Sequence, residues 1–180
     1  MMTRFVAFLR GINVGGRVVK KEKLHEAFAP LGFQNIVVYK QSGNVIFDSD
    51  SGNTEEIKAK VEERLQATLG YQVCVSPRTI QQLKKLIHSE PFKGEPQEGT
   101  SFLVTLLPSP APLSFTTRLP LTIPKSTAQV ISAQGTEVFS VTHGGGEGAL
   151  PNPFIEANLR VKTTTRNLNI IIEFVEKFDT

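Results

Sequence analysis

Apolar residues change spacing several times along positions 1–77, and each change predicts an element. Arg4–Leu9 (RFVAFL) is apolar without alternation, the pattern of a strand covered on both faces or central in its sheet. Lys21–Leu31 shifts to helical spacing, with Leu24, Ala27, Phe28 and Leu31 on one stripe and Gly32 as its stop. Two β-branched and aromatic runs, Ile36–Tyr39 and Val45–Asp48, flank the turn Gln41-Ser42-Gly43-Asn44, which is a hairpin pattern. Asn53 with Glu56 three residues later reads as a capping box, and the helix it opens carries Ile57, Val61, Leu65 and Leu69 at helical spacing. Tyr71–Val75 reads as a further strand, ended by Ser76-Pro77.

The order strand, helix, strand, strand, helix, strand predicts an α+β fold with a ferredoxin-like βαββαβ subdomain over residues 1–77. Right-handed crossovers and antiparallel pairing give the expected sheet order 4-1-3-2. In that order strand one ends on the edge where the strand-two to strand-three hairpin turns. The glycine-rich loop Arg10–Gly16 and the turn Gln41–Asn44 become neighbours.

Residues 78–180 are expected to form a smaller α+β second half, its C-terminal helix packed on the core. Thr79 with Gln82 caps a predicted helix to Ser89, with Ile80, Leu83 and Ile87 inward. Phe102–Leu107 reads as a strand, and Gln129–Ser132 with Val138–Thr142 as a hairpin around Gln134-Gly135. The stretch punctuated by Pro108, Pro110, Pro112, Pro120 and Pro124 has no periodicity to place it. His143–Gly148 reads as a loop and Phe154–Leu159 as a short helix. Thr165 is expected to cap a last helix with Leu168, Ile171, Ile172, Val175 and Phe178 on one face.

Composition narrows the class. With 39% hydrophobic and 21% charged residues, the 180-residue chain can bury a core. No apolar run reaches the roughly 20 residues that span a bilayer, and Met1–Leu9 lacks a signal-peptide pattern. A cytoplasmic location and no membrane partner are expected. The lone cysteine, Cys74, leaves no internal disulfide and fits a reducing compartment. Net charge is only +3, but Arg10, Arg17, Lys20, Lys21 and Lys23 crowd a stretch with one acid, Glu22. That is a local basic patch rather than a basic face.

Candidate chemistry gathers at the two glycine-bearing tips. Gly11, Gly15 and Gly16 permit positive φ and close backbone approach, so their N–H groups can turn onto a phosphate or carboxylate beside Arg10, Lys20 and Lys21. The spacing matches neither the dinucleotide fingerprint nor the P-loop. A purely structural strand-to-helix turn is the alternative. At the second tip, Ser42, Gly43 and Asn44 are explained by turn chemistry, whereas Gln41 is not. A nucleophilic Ser42 needs a base, and this topology brings no histidine to it.

Thr163–Asn167 reads as a helix cap in which Arg166 faces the positive end of the dipole, to be offset by an anion or an internal salt bridge. His143-Gly144-Gly145-Gly146 is like an esterase oxyanion loop, but the chain has no Gly-x-Ser-x-Gly elbow. His25, His88 and His143 are scattered, so neither a metal nor a cofactor is expected. Phe5, Phe8, Phe28, Phe47 and Phe102 lie in core-patterned elements rather than in RNA-binding strands.

These motifs together resemble a known family. Leu9-Arg10-Gly11-Ile12-Asn13-Val14-Gly15-Gly16, followed about 25 residues on by Gln41-Ser42-Gly43-Asn44-Val45-Ile46-Phe47, is similar to the domain of unknown function 1697 family. Thr164-Thr165-Arg166-Asn167 is similar to that family's C-terminal signature. The resemblance implies a compact bacterial-type α+β protein with a ferredoxin-like first half, and it implies no activity. Two departures stand out. Leu168 replaces a tryptophan of the signature, although Asn169 remains. Gly144–Asn152 carries Glu147 where relatives have a basic helix start.

The expected function is binding of a small anionic or nucleotide-like ligand by Arg10, Asn13, Gly15, Gly16, Gln41, Ser42 and Asn44, with Arg166 and Asn167 joining from the second half. A nucleic-acid-binding module using Arg10–Lys23 is one alternative. An enzyme of acyl or phosphoryl transfer is another.

Overall fold

A computed structural model describes residues 1–13, 15–40, 43–144 and 150–179. The chain forms two compact units, Met1–Gln82 and Leu83–Thr180.

In the first unit the elements run β1 (Thr3–Arg10), α1 (Lys21–Phe28), a 3-10 turn (Ala29–Leu31), β2 (Gln34–Tyr39), β3 (Asn44–Ser49), α2 (Thr54–Leu69) and β4 (Cys74–Thr79). Among the described residues the sheet is β2-β3-β1-β4, antiparallel throughout, the order expected from the sequence. Phe5, Ala7 and Leu9 of β1, with Val45 and Phe47 of β3 and Val75 of β4, bury one sheet face against Leu24, Ala27 and Phe28 of α1 and Ile57, Val61 and Leu65 of α2. Phe47 sits between Phe5 and Phe33, with ring centroids 5.8 and 4.2 Å away. By the two-residue period of strands, Arg4, Phe8, Arg10, Asn44, Asp48, Cys74 and Ser76 belong to the opposite face.

Two local expectations change. Asn53 caps α2 by accepting from the Glu55 and Glu56 N–H groups at 3.1 and 3.2 Å, but Glu56 does not return the bond. Ser51 takes that place, its Oγ accepting from the Asn53 N–H at 3.2 Å and donating to Glu56 Oε2 at 3.1 Å. Ser76-Pro77 does not end the last strand either. β4 begins at Cys74 and runs through Pro77 to Thr79, because it is an edge strand, where a missing N–H need not face a partner.

α3 (Ile80–His88) follows, with the division between units inside it. Its capping box is reciprocal: Thr79 Oγ1 accepts from the Gln82 N–H and Gln82 Oε1 from the Thr79 N–H. Leu86 is buried on this helix, and Ile87, expected inward, is half-buried. The second unit continues with β5 (Thr100–Leu106), α4 (Leu113–Thr116), β6 (Leu121–Thr122), β7 (Ala128–Gln134), β8 (Glu137–His143), α5 (Asn152–Leu159), β9 (Thr164–Asn167) and α6 (Leu168–Phe178).

Its described residues make a five-stranded antiparallel sheet, β6-β7-β8-β5-β9, so the half expected to be smaller has the larger sheet. The proline-punctuated stretch contributes Phe115 and Ile123 to a core with Ala128, Val130, Val138 and Ile155. α6 buries Ile171 and Phe174. No helix among the described residues is long and apolar enough to cross a membrane.

Candidate anion-binding edge

Three segments meet where β1 ends. On one side the Leu9 N–H donates to the Gly43 carbonyl at 2.8 Å, tying the β2–β3 hairpin tip to the strand that opens the glycine-rich loop. On the other side Arg10 lies opposite Cys74 of β4. Gly11, at φ +89°, brings the loop close to the carbonyl of Gln72, which a Cβ there would meet at 3.7 Å. Farther along the loop, the Arg17 guanidinium lies over the Tyr71 ring, 4.2 Å from its centroid. Gly70, in the left-handed C-cap of α2, turns the chain to place Tyr71 there.

The expected residues take different parts in this edge. Arg10 is half-buried at the end of β1. Asn13 is exposed at φ +57°, a conformation asparagine tolerates, and its Oδ1 accepts from the Val19 N–H at 2.7 Å. That bond closes the loop on itself and assigns Asn13 a scaffold role. Gly15 and Gly16 are exposed at φ +62° and +79°, with open space where a Cβ would stand. Backbone conformation, not a close approach within the protein, requires glycine at both.

Asn44 is buried at 5% exposure, and its Nδ2 donates to the Tyr39 carbonyl at 3.4 Å, so it closes the hairpin. Gln41 and Ser42 lie outside the described residues, as do Val14 and the Gly145–Ala149 part of the second glycine loop with Glu147.

Arg166 and Asn167 belong to the second unit; the helix-cap expectation holds at Asn167 and is corrected for Thr165 and Arg166. Thr164–Asn167 is a strand that pairs with β5, Arg166 opposite Val104, because Thr105 Oγ1 and Thr165 Oγ1 bond at 2.7 Å across the pair. Asn167, not Thr165, caps α6, accepting from the Asn169 N–H at 3.0 Å. The neighbouring Thr163 is buried and bonded to α5: Asn152 Nδ2 donates to its Oγ1 at 2.9 Å, and its N–H donates to Glu156 Oε1 at 2.8 Å. The Arg166 guanidinium donates to the Thr165 carbonyl at 2.9 Å, and burial pushes its pKa down to about 10. Arg166 is the residue just before Asn167, the N-cap of α6.

The charge of the first unit's edge is unbalanced. Arg17, Lys20, Lys21 and Lys23 are exposed, and among the described residues none of their side chains has a hydrogen bond or an ion pair. Lys20 occupies the N-cap of α1 and has no side-chain oxygen to offer the first turn. Unpaired cations, an N-terminus without a side-chain cap and permissive glycines form a set that accepts negative charge. The described residues hold no cluster of His, Cys, Asp and Glu suited to a metal ion.

Sequence reasoning missed Tyr71, Cys74 and Ser76. Val73 and Val75 alternate inward, which already assigns Cys74 and Ser76 to the face of Arg10. A shallow, open cavity of about 420 Å³ lies along α1 and β2, lined by Lys21, Glu22, His25, Glu26 and Val38. It shares Lys21 with the basic edge, but its lining contains none of the loop glycines and pairs that lysine with Glu22 and Glu26.

Residues 2–139 match the model of the family described as protein of unknown function (DUF1697). Among solved structures the chain is similar to the conserved bacterial protein SP0830 from Streptococcus pneumoniae, at 17% identity and a TM-score of 0.74, covering 100% of both chains. That likeness is one of fold. No curated protein matches the chain.

Proposed function

Because the chain belongs to the DUF1697 family, whose description names no activity, we propose from the geometry that it binds a small anionic or nucleotide-like ligand at the loop edge of β1. The observation that carries this reading is the group of four exposed cations, Arg17, Lys20, Lys21 and Lys23, without acid partners among the described residues. They flank a loop anchored to the hairpin by the Leu9–Gly43 bond. Functional groups on loops carried by a rigid sheet are the usual arrangement of a binding site.

In this reading Gly15 and Gly16 supply backbone N–H donors, and Arg10, Arg17 and Lys20 supply charge. Asn13 and Asn44 hold the two tips in shape. Gln41 and Ser42, from the hairpin, orient the ligand by hydrogen bonds. Arg166 and Asn167 have structural roles in the second unit and drop out of the proposal. A cytoplasmic location remains part of it, supported by Cys74 being the one cysteine of the sequence, which leaves no internal disulfide.

The test is a thermal-shift screen of nucleotides, phosphorylated metabolites and carboxylates. A ligand at about 100 times its Kd stabilises the folded state by about 2.7 kcal/mol, enough to move the melting temperature by several degrees. The Arg10→Ala and Lys20→Ala variants are expected to fold and lose that shift. Shifts of equal size in wild type and both variants would refute the assignment.

The unpaired cations also favour a second reading, a nucleic-acid-binding surface. It requires a gel shift at low salt whose affinity falls steeply as salt rises.

A further inference from the structure

Arg17, on the glycine loop, is a cation with an aromatic partner. Its guanidinium is parked 4.2 Å from the Tyr71 centroid, and among the described residues it makes no hydrogen bond or ion pair. Tyr71 is half-buried and packs against the helix-side core, so its ring is fixed by packing. Its hydroxyl is buried without a hydrogen-bond partner among the described residues, so no polar bond orients the ring. A flexible arginine seated on an aromatic ring presents a planar cation to solvent. Such guanidinium planes accept nucleobases face to face. Val18, 82% exposed, adds apolar surface to the same stretch. Gly15 and Gly16, two and one positions before Arg17, offer backbone N–H groups in positive-φ conformations that suit phosphate oxygens.

We infer that the ligand of this edge is a nucleotide, its base stacked on the Arg17 guanidinium above Tyr71 and its phosphates on the backbone N–H groups of Gly15 and Gly16. The inference rests on the anion-binding reading and goes beyond it, because a carboxylate or inorganic phosphate has no use for the stack. Stacking is tolerant of base identity, since every base has a π-face. The platform therefore selects nucleotides as a class rather than one base.

Isothermal titration of the full chain with ADP, UDP and inorganic pyrophosphate separates the two levels. Wild type should bind both nucleotides about tenfold more tightly than pyrophosphate, which has similar charge and no ring. Arg17→Lys keeps the charge but loses the plane, so pyrophosphate affinity should stay within about twofold while the preference for nucleotides disappears. Tyr71→Phe keeps the ring and should keep the preference. Equal affinities for all three in wild type, a preference that survives Arg17→Lys, or one lost in Tyr71→Phe overturns the inference and leaves the anion-binding reading standing. If none of the three binds, the nucleotide inference falls, and the thermal-shift screen of carboxylates and other phosphorylated metabolites decides the anion-binding reading.

Discussion

Asp48 shows how much a single side chain can decide in the first unit. It accepts from Arg4 Nε at 2.8 Å, from an Arg4 terminal nitrogen at 2.9 Å and from Asn35 Nδ2 at 2.7 Å. Asn35 reaches it from a left-handed residue, φ +51°, at the β2–β3 register shift. The Arg4 hydrogen bonds, outweighing the cost of burial and helped by Asn35, hold the Asp48 carboxyl below its ordinary range. Its folded-state value is lower than its unfolded one. The stabilisation is therefore fully present above the unfolded carboxylate range and is lost as pH falls through the folded value, at pH below about 4. Asp48→Asn should lower stability by about 1–3 kcal/mol at neutral pH and flatten the acid limb of the stability curve, as urea titrations across pH would show. An unchanged acid limb would mean that the pair contributes nothing there.

Among the elements, the last strand and helix carry the clearest lesson. Thr-Thr-Arg-Asn reads locally as a run of capping residues, and only pairing with β5 turns its first part into a strand. The cap then moves two residues, to Asn167. Asn167→Ala should cost about 1 kcal/mol and fray the start of α6, detectable by amide exchange at Asn169. Thr165→Ala should leave that amide protected and instead lose the bond to Thr105. The reverse pattern would restore the local reading. β4 teaches the same point from the other direction: Pro77 is a stop signal in a central strand and acceptable at an edge, a distinction that exists only once the strand order is known.

At the scale of the molecule the net charge of +3 understates the field at one place. Arg17, Lys20, Lys21 and Lys23 concentrate positive potential beside the glycine loop, while the acids of Asp48–Glu63 lie elsewhere in the chain. Exposed charges are screened over about 8–10 Å at physiological salt. Pyrophosphate affinity should therefore weaken by roughly three- to tenfold between about 50 and 300 mM NaCl. A flat response in titrations would show that backbone donors, not the lysines, hold the anion. The shallow cavity along α1 and β2, with Glu22 and Glu26 among its lining, should show no such preference for anions.

Hydrophobic spacing, cap and turn residues and the handedness of crossovers determined the six elements of the first unit, their sheet order and the meeting of two glycine-bearing tips at the end of β1. Those features follow from local periodicity and chain connectivity, which short-range physics sets. Tertiary structure decided the rest. It spent Asn13 and Asn44 on closing their own turns, seated Arg17 on Tyr71, carried β4 through a proline and made Arg166 a strand residue. The last three depend on partners distant along the chain, a ring face or a sheet edge that is visible only when the partner is in place. The Asn13 and Asn44 bonds reach only six and five residues and depend on the backbone path of their own turns.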